Sequence, residues 1–143
     1  MRRHVSLALS LALAVAGAAT AGTAPAGAST RAPQVRPHAT IRIVPSTSCT
    51  PATLYCFKPA SKTVASGTKV NFKNTSIAPH TVTRCDALHC AGAGGGTGTD
   101  TGFGSTTIAA GAKYSFVFHG AGTYVYYCAI HGYAVMHGTI TVT

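Results

Sequence analysis

The sequence 113-KYSFVFHGAGTYVYYCAIHGYAVMHGTITV-142 indicates the fold class. Side chains alternate in character along residues 113–118, 123–127 and 138–142, and a period of two is typical of β-strands. The sequence His-Gly-Ala-Gly at 119–122 has the composition of a turn. The stretch therefore predicts two strands joined by a turn, then a longer loop and a third strand.

The remainder of the chain after residue 38 shows the same strand pattern. Residues 39–44, 68–73 and 80–84 also alternate, and no segment in this part has a convincing helical period. Six to eight short strands in about 105 residues predict an all-β fold, namely an antiparallel β-sandwich.

The run 91-AGAGGGTGTDTGFG-104 breaks the strand pattern. We expect it to be a long, mobile surface loop that does not pack into a core, and we assign it no chemistry.

The N-terminal 28 residues are predicted to be a secretory signal peptide. Arg2 and Arg3 precede an apolar run at 5–20, and small-residue cleavage sites follow. A retained membrane anchor is the alternative, but the run is shorter than the roughly 20 residues that span a bilayer. Residues 29–38 form a predicted flexible lead-in, and residues 39–143 form the predicted domain. We expect a secreted, periplasmic or otherwise extracytoplasmic protein that is not stably inserted in a membrane after cleavage.

The chain is strongly basic. It has 11 Lys and Arg residues against 2 Asp and Glu. Removal of residues 1–28 leaves nine basic residues and a net charge of +7. The basic residues are scattered along the sequence, and no aromatic-basic cluster typical of nucleic-acid binding is present. The charge instead favours a protein partner with an acidic surface.

Five cysteines leave one unpaired in an oxidising compartment. Cys49 and Cys56 are seven positions apart and Cys85 and Cys90 are five apart, so we expect two local disulfides with Cys128 left over. Crossed pairings stay open. A zinc site made from the same four cysteines also stays open, although the spacing is wider than zinc motifs usually show.

The unpaired Cys128 has a histidine, His131, three residues later and a methionine, Met136, five residues after that. With one more imidazole, these groups form a set that holds copper: two nitrogens and a thiolate in a plane, with a weak axial thioether. His80 follows Pro79 at the head of a predicted strand and is the best-placed second histidine. Taken alone, His80 could be an ordinary strand-end histidine, Met136 a core residue and Cys128 a buried, inert thiol. We assign no metal-binding role to the remaining histidines of the domain, which are His89, His119 and His137.

The sequence resembles the cupredoxins, in particular the plastocyanin and pseudoazurin branch, whose ligand loop has the spacing C-x2-H-x4-M. The resemblance covers residues 39–143. It rests on the order of the four candidate ligands and on motifs such as Pro79-His80-Thr81-Val82, Gly122-Thr123-Tyr124 and Tyr126-Tyr127-Cys128.

The resemblance implies a Greek-key sandwich with one type 1 copper at one end, bound by His80, Cys128, His131 and Met136. It also implies transfer of single electrons between redox partner proteins, and we expect a monomer. Two departures affect the surroundings of the metal: Thr81 stands where the family often has Asn, and Ile130 stands where it often has Pro.

The sequence bears on four classes of function. An electron carrier is favoured. Electrons would enter and leave through the edge of the His131 ring, which is flanked by Ile130, Tyr133, Ala134 and Val135. A copper-binding or copper-delivery protein with the same site is the alternative. An enzyme such as a copper nitrite reductase needs a second copper centre and a longer chain. A disulfide-stapled adhesion domain would leave Cys128 and Met136 unexplained.

Overall fold

The structure, a computed structural model, describes residues 36–49 and 53–143. The predicted signal peptide, the retained-anchor alternative and most of the lead-in lie outside these residues. Within the described part, no helix is long and apolar enough to cross a membrane. The strands are β1 (His38–Pro45), β2 (Tyr55–Lys58), β3 (Ser61–Val64), β4 (Thr68–Asn74), β5 (Thr83–Arg84), β6 (Lys113–Phe118), β7 (Gly122–Tyr127) and β8 (His137–Val142). A short 3-10 helix, Ser46–Ser48, follows β1.

The strands form two four-stranded sheets, which confirms the predicted β-sandwich. The first sheet has the order β2-β1-β4-β6 and the second has the order β3-β8-β7-β5. Both sheets are mixed rather than wholly antiparallel, because β1 pairs with β4, and β3 with β8, in parallel. The first parallel pair arises because β2 and β3 lie between β1 and β4 in the chain. Strand β4 then returns to the first sheet and runs in the same direction as β1.

Aromatic side chains fill the space between the sheets. Five large rings are fully or almost fully buried there: Phe57, Phe72, Phe118, Tyr124 and Tyr126. They alternate with outward-facing residues along their strands, as the period of two predicts. Burial of each such side chain contributes about 1.5–3 kcal/mol.

Most predicted strand segments are confirmed to within one residue at either end, namely those at 39–44, 68–73, 113–118, 123–127 and 138–142. The segment predicted at 80–84 forms only a two-residue strand, since His80 pairs with Ile108 as an isolated bridge. Strands β2 and β3 were not predicted.

The prediction that residues 91–104 do not pack into a core is wrong. Phe103 is 5% exposed and lies among the core rings. Gly98 packs directly against the ring of Tyr124, where a Cβ atom would collide with it. The side chain of Arg84 donates hydrogen bonds to three carbonyl oxygens of the run, at Gly95, Gly98 and Asp100. The glycines therefore permit close packing against the second sheet.

The two local disulfides are confirmed. Cys49 is bonded to Cys56 and Cys85 to Cys90, with Cα atoms 5.8 and 5.7 Å apart. These bonds exclude both the crossed pairings and a zinc site made from the four cysteines. Cys128 is the free cysteine and is buried.

Candidate metal centre

Two histidines and the free cysteine meet where the segment after β4 approaches the loop between β7 and β8. Metal-ligating atoms of His80, Cys128 and His131 all lie within 4.8 Å of one another. The Nδ1 atom of His80 is 3.8 Å from the Sγ atom of Cys128, and the Nδ1 atom of His131 is 3.3 Å from it. The structure thus brings together three of the four predicted metal-binding residues.

The loop 128–136 places Met136 beside Cys128. The N–H of Cys128 donates to the carbonyl oxygen of Met136 at 3.0 Å, and the N–H of Met136 donates to the carbonyl oxygen of Gly132 at 3.0 Å. Gly132 has a φ of 80°, a left-handed conformation that glycine adopts without strain. The Met136 side chain is fully buried in the same core cluster as Cys128. The fourth predicted residue therefore lies at the same end of the sandwich.

His80 is fixed on both sides by the segments around it. Its backbone exchanges two hydrogen bonds with Ile108, of 3.2 and 2.7 Å. Its Nε2 atom is 2.8 Å from the hydroxyl oxygen of Ser76, and this hydroxyl donates to Oδ1 of Asn74 at 2.9 Å. The amide of Asn74 donates in turn to the carbonyl oxygens of Ala78 and Ile108. A buried polar network thus holds the imidazole in place.

Thr81 connects the His80 segment to the cysteine loop. Its N–H donates to the Cys128 sulfur at 3.3 Å, and its hydroxyl oxygen accepts the N–H of Ala129 at 2.8 Å. Thr81 therefore ties the two segments together at the position where the family often has Asn.

Both histidines are held in the neutral form that metal binding requires. Burial, followed by the charge of the neighbouring His131, lowers the pKa of His80 from the ordinary 6.5 to about 4. Burial also lowers the pKa of His131. At neutral pH each ring therefore keeps a lone pair for a metal.

Sequence reasoning missed two residues of this site. Tyr55, at the start of β2, packs its ring against both imidazoles, with centroids 4.7 Å from His80 and 4.9 Å from His131. Ser76 bonds His80, as described above. The one local signal for Ser76 was Asn74, whose side chain accepts the backbone N–H two residues later in an Asx turn.

The cysteine loop presents apolar side chains to solvent around His131, which is itself partly exposed. Ile130 is 50% exposed and Val135 is 36% exposed. Tyr133, predicted as a further flank, packs instead on the ring of His137, with centroids 4.5 Å apart. The predicted apolar surface is therefore formed mainly by Ile130, Ala134 and Val135.

The remaining histidines of the domain lie outside the cluster. His89 is exposed and contacts the carboxylate of Asp86 at 2.9 Å, and the Nδ1 atom of His137 contacts the carbonyl oxygen of Tyr133. Hydrogen bonding to His89 lowers the pKa of Asp86. Within the described residues, only His80, Cys128 and His131 form a group of three metal-type ligands.

The donor set fits copper. Two imidazoles and a thiolate with a weak thioether are characteristic of blue-copper sites, and both Nδ1 atoms lie next to the sulfur.

Comparisons with known proteins point to the same metal. The sequence matches the family described as copper binding proteins, plastocyanin/azurin family, over residues 46–143. Plastocyanin A/B of Petroselinum crispum is 34% identical over 86 residues, which are 60% of this chain and 86% of that protein.

Solved structures share the fold. A purple cupredoxin from Nitrosopumilus maritimus has a TM-score of 0.56 and 23% identity, over 73% of this chain and 99% of its own. The copper-containing nitrite reductase of Thermus scotoductus SA-01 has a TM-score of 0.54 and 24% identity, over 73% of this chain and 22% of the enzyme chain. At these identities the two structures support the fold alone.

The family match covers most of the chain, and it confirms the resemblance drawn from the ligand spacing. The donor set and the match together identify one type 1 copper as the cofactor. This chain belongs to the plastocyanin/azurin family of copper binding proteins.

Proposed function

We propose that the chain is a mobile carrier of single electrons, with one copper held by His80, Cys128, His131 and Met136. The observation that carries the proposal is the convergence of two Nδ1 atoms on a buried sulfur, next to a partly exposed histidine. Bound copper supplies a one-electron couple between Cu(II) and Cu(I).

The residues around the site suit rapid transfer because they are fixed before the metal binds. His80 and Cys128 are fully buried, and backbone hydrogen bonds tie them to Ile108 and Met136. The N–H of Thr81 also reaches the sulfur. Such a site rearranges little between two charge states, and ligands of this kind owe their orientation to these outer contacts.

The electron enters and leaves through the edge of His131. This ring is the most exposed of the three clustered ligands, and the exposed side chains of Ile130 and Val135 flank it. A small apolar surface suits a brief, weak encounter, since transient redox complexes bury little area. The docking partner is a redox protein whose surface is acidic, because the positive charge of this chain attracts it.

The protein acts outside the cytoplasm, as a secreted or periplasmic monomer. Two disulfides favour an oxidising compartment, and the sequence of residues 1–28 has the pattern of a signal peptide.

A carrier is favoured over an enzyme and over a copper-delivery protein. The part of the chain that the structure describes offers a single cluster of three metal-type ligands, whereas a nitrite reductase needs a second copper centre. Delivery needs a site that releases metal readily. The hydrogen bonds of Ser76 and Thr81 hold this site together, which favours retention.

The test is repeated reduction and reoxidation of the copper-loaded protein by inorganic one-electron reagents, with a Cu(I) chelator present. A carrier bleaches and recovers its blue colour over many cycles while the copper stays bound. Transfer of copper to the chelator during the first reduction would instead support delivery.

A further inference from the structure

Four basic residues share one register position across the first sheet. Lys58 pairs with Arg42, Arg42 with Lys73, and Lys73 with Lys113. The sheet order is β2-β1-β4-β6, so these residues, the basic row, cross every strand of the sheet. Neighbouring strands lie about 4.8 Å apart, which makes the row about 14 Å long. Residues scattered in the sequence thus form one line of charge.

The basic row lies on the outer face. All four of its residues are exposed, and their neighbours Ile41, Ile43, Phe57 and Phe72 are buried against the second sheet. Successive side chains of a strand point to opposite faces, so the four charged side chains share the solvent face.

In the part of the chain that the structure describes, neither acidic side chain contacts the basic row. The chain has two acidic residues. Asp86 contacts His89, and Asp100 accepts hydrogen bonds from the hydroxyl of Tyr124 and the N–H of Gly120. Like charges directly opposite each other on a sheet are destabilising. A row of four therefore reduces the stability of the isolated chain, and it suits an anion supplied from outside.

A depression beside the row can accept such an anion. It has a volume of about 470 Å³ and is lined by Lys73 and Lys113 together with Thr40 and Asn71. The side-chain oxygen of Asn71 accepts the hydroxyl of Ser115 at 2.7 Å, which leaves the NH₂ group of the amide as a donor. Two ammonium groups, a hydroxyl and an amide match a carboxylate that protrudes from a partner.

The position of the row favours a redox partner over a lipid surface. Lys73 immediately precedes Asn74, whose Oδ1 accepts the hydroxyl of Ser76, and Ser76 contacts Nε2 of His80. A protein seated on the row is therefore close to the segment that holds His80.

We propose that the basic row and its depression are the docking surface for an acidic segment of the redox partner. The identity of the partner as a redox protein rests on the proposed function. The apolar surface around His131 then serves the transfer itself, and the row recruits and orients the partner.

The test is an NMR titration of the Cu(I)-loaded protein with a peptide of ten glutamates. We expect shift changes at the row and at Thr40 and Asn71. The double variant Lys73→Gln/Lys113→Gln should bind the peptide at least about fivefold more weakly. The control Arg36→Gln/Lys62→Gln removes the same charge from exposed residues outside the row, and its affinity should change by less than about twofold.

Three outcomes would overturn the proposal. Equal weakening in both double variants would mean that net charge, and not the row, governs binding. Inorganic phosphate that causes the same shift changes at the same concentration would indicate a small-anion site. Binding to phosphatidylglycerol vesicles without binding to the peptide would indicate a membrane contact. The titration involves no electron transfer, so a negative result would not contradict the carrier function. Failure of reversible reduction would contradict the carrier function but would not affect the evidence for the docking surface.

Discussion

The hydroxyl of Ser76 and the Nε2 atom of His80 are 2.8 Å apart, and this contact determines which ring nitrogen is available beside Cys128. The Ser76 hydroxyl has one proton, which it donates to Oδ1 of Asn74. Its oxygen must then accept the Nε2 proton of His80. The free lone pair is therefore on Nδ1, the atom that faces the sulfur. The network selects the tautomer that binds metal.

Replacement of Ser76 by alanine should weaken copper binding and keep the blue colour. Loss of the contact frees the ring and its tautomer, and such outer partners typically change metal affinity by about 10–100-fold. Competition with a copper chelator measures the effect. Ser115→Ala is the matched control, because its hydroxyl bonds Asn71 in the first sheet. Equal affinities for Ser76→Ala and the unaltered protein would contradict the positioning role.

Replacement of Met136 by leucine should leave copper bound and blue but raise the reduction potential. A long axial bond tunes the potential more than it holds the metal, and an apolar axial group favours the less charged Cu(I). Voltammetry of the copper-loaded variant measures the shift. Loss of copper on this substitution would show that the site is of another type.

Cys128, His131 and Met136 share one loop, so their spacing in the sequence indicated that they would lie close together. Ser76 and Tyr55 could not be predicted, since each acts through a contact that only the fold creates. The same reason explains the error over Phe103, whose core contacts come from distant strands.

Strands β2 and β3 were not predicted for a different reason. Strand β2 has four residues and ends just before Pro59, and three of the four residues of β3 are polar and exposed, so neither shows a clear alternation. The alignment of basic residues was hidden too, because strand register is not visible in a sequence.

The copper-free protein should lose stability as the pH falls from about 6.5 to about 4. In this range the unfolded chain binds a proton at His80 that the folded chain does not, because the folded pKa is about 4. Above about pH 6.5, His80 does not change the free energy of unfolding. As the pH falls from there to about 4, the free energy of unfolding decreases by about 1.4 kcal/mol per pH unit, and the total loss is of the order of 3 kcal/mol. Urea unfolding at several pH values measures it. A His80→Asn variant with an undiminished slope would refute this assignment.

Replacement of Ala134 by aspartate should slow electron transfer several-fold with little change in copper affinity. The substitution places a charge on the exposed apolar surface beside His131, where docking would have to desolvate it. Stopped-flow reaction with an acidic redox protein measures the rate. Ala121→Asp is the matched control, since Ala121 is exposed in the turn before β7, at the far end of that strand from Cys128. Equal rates in the two variants would rule out this docking face.

In the proposed site the Cys128 thiolate binds the copper, and the visible absorption of Cys128→Ser after addition of Cu(II) tests this directly. The colour of such sites arises from charge transfer between sulfur and copper, so a hydroxyl cannot produce it. The fold should persist, because both disulfides and the aromatic core are untouched. We expect a folded, colourless variant and an intensely blue unaltered protein. A serine variant that turns blue with Cu(II) would contradict it.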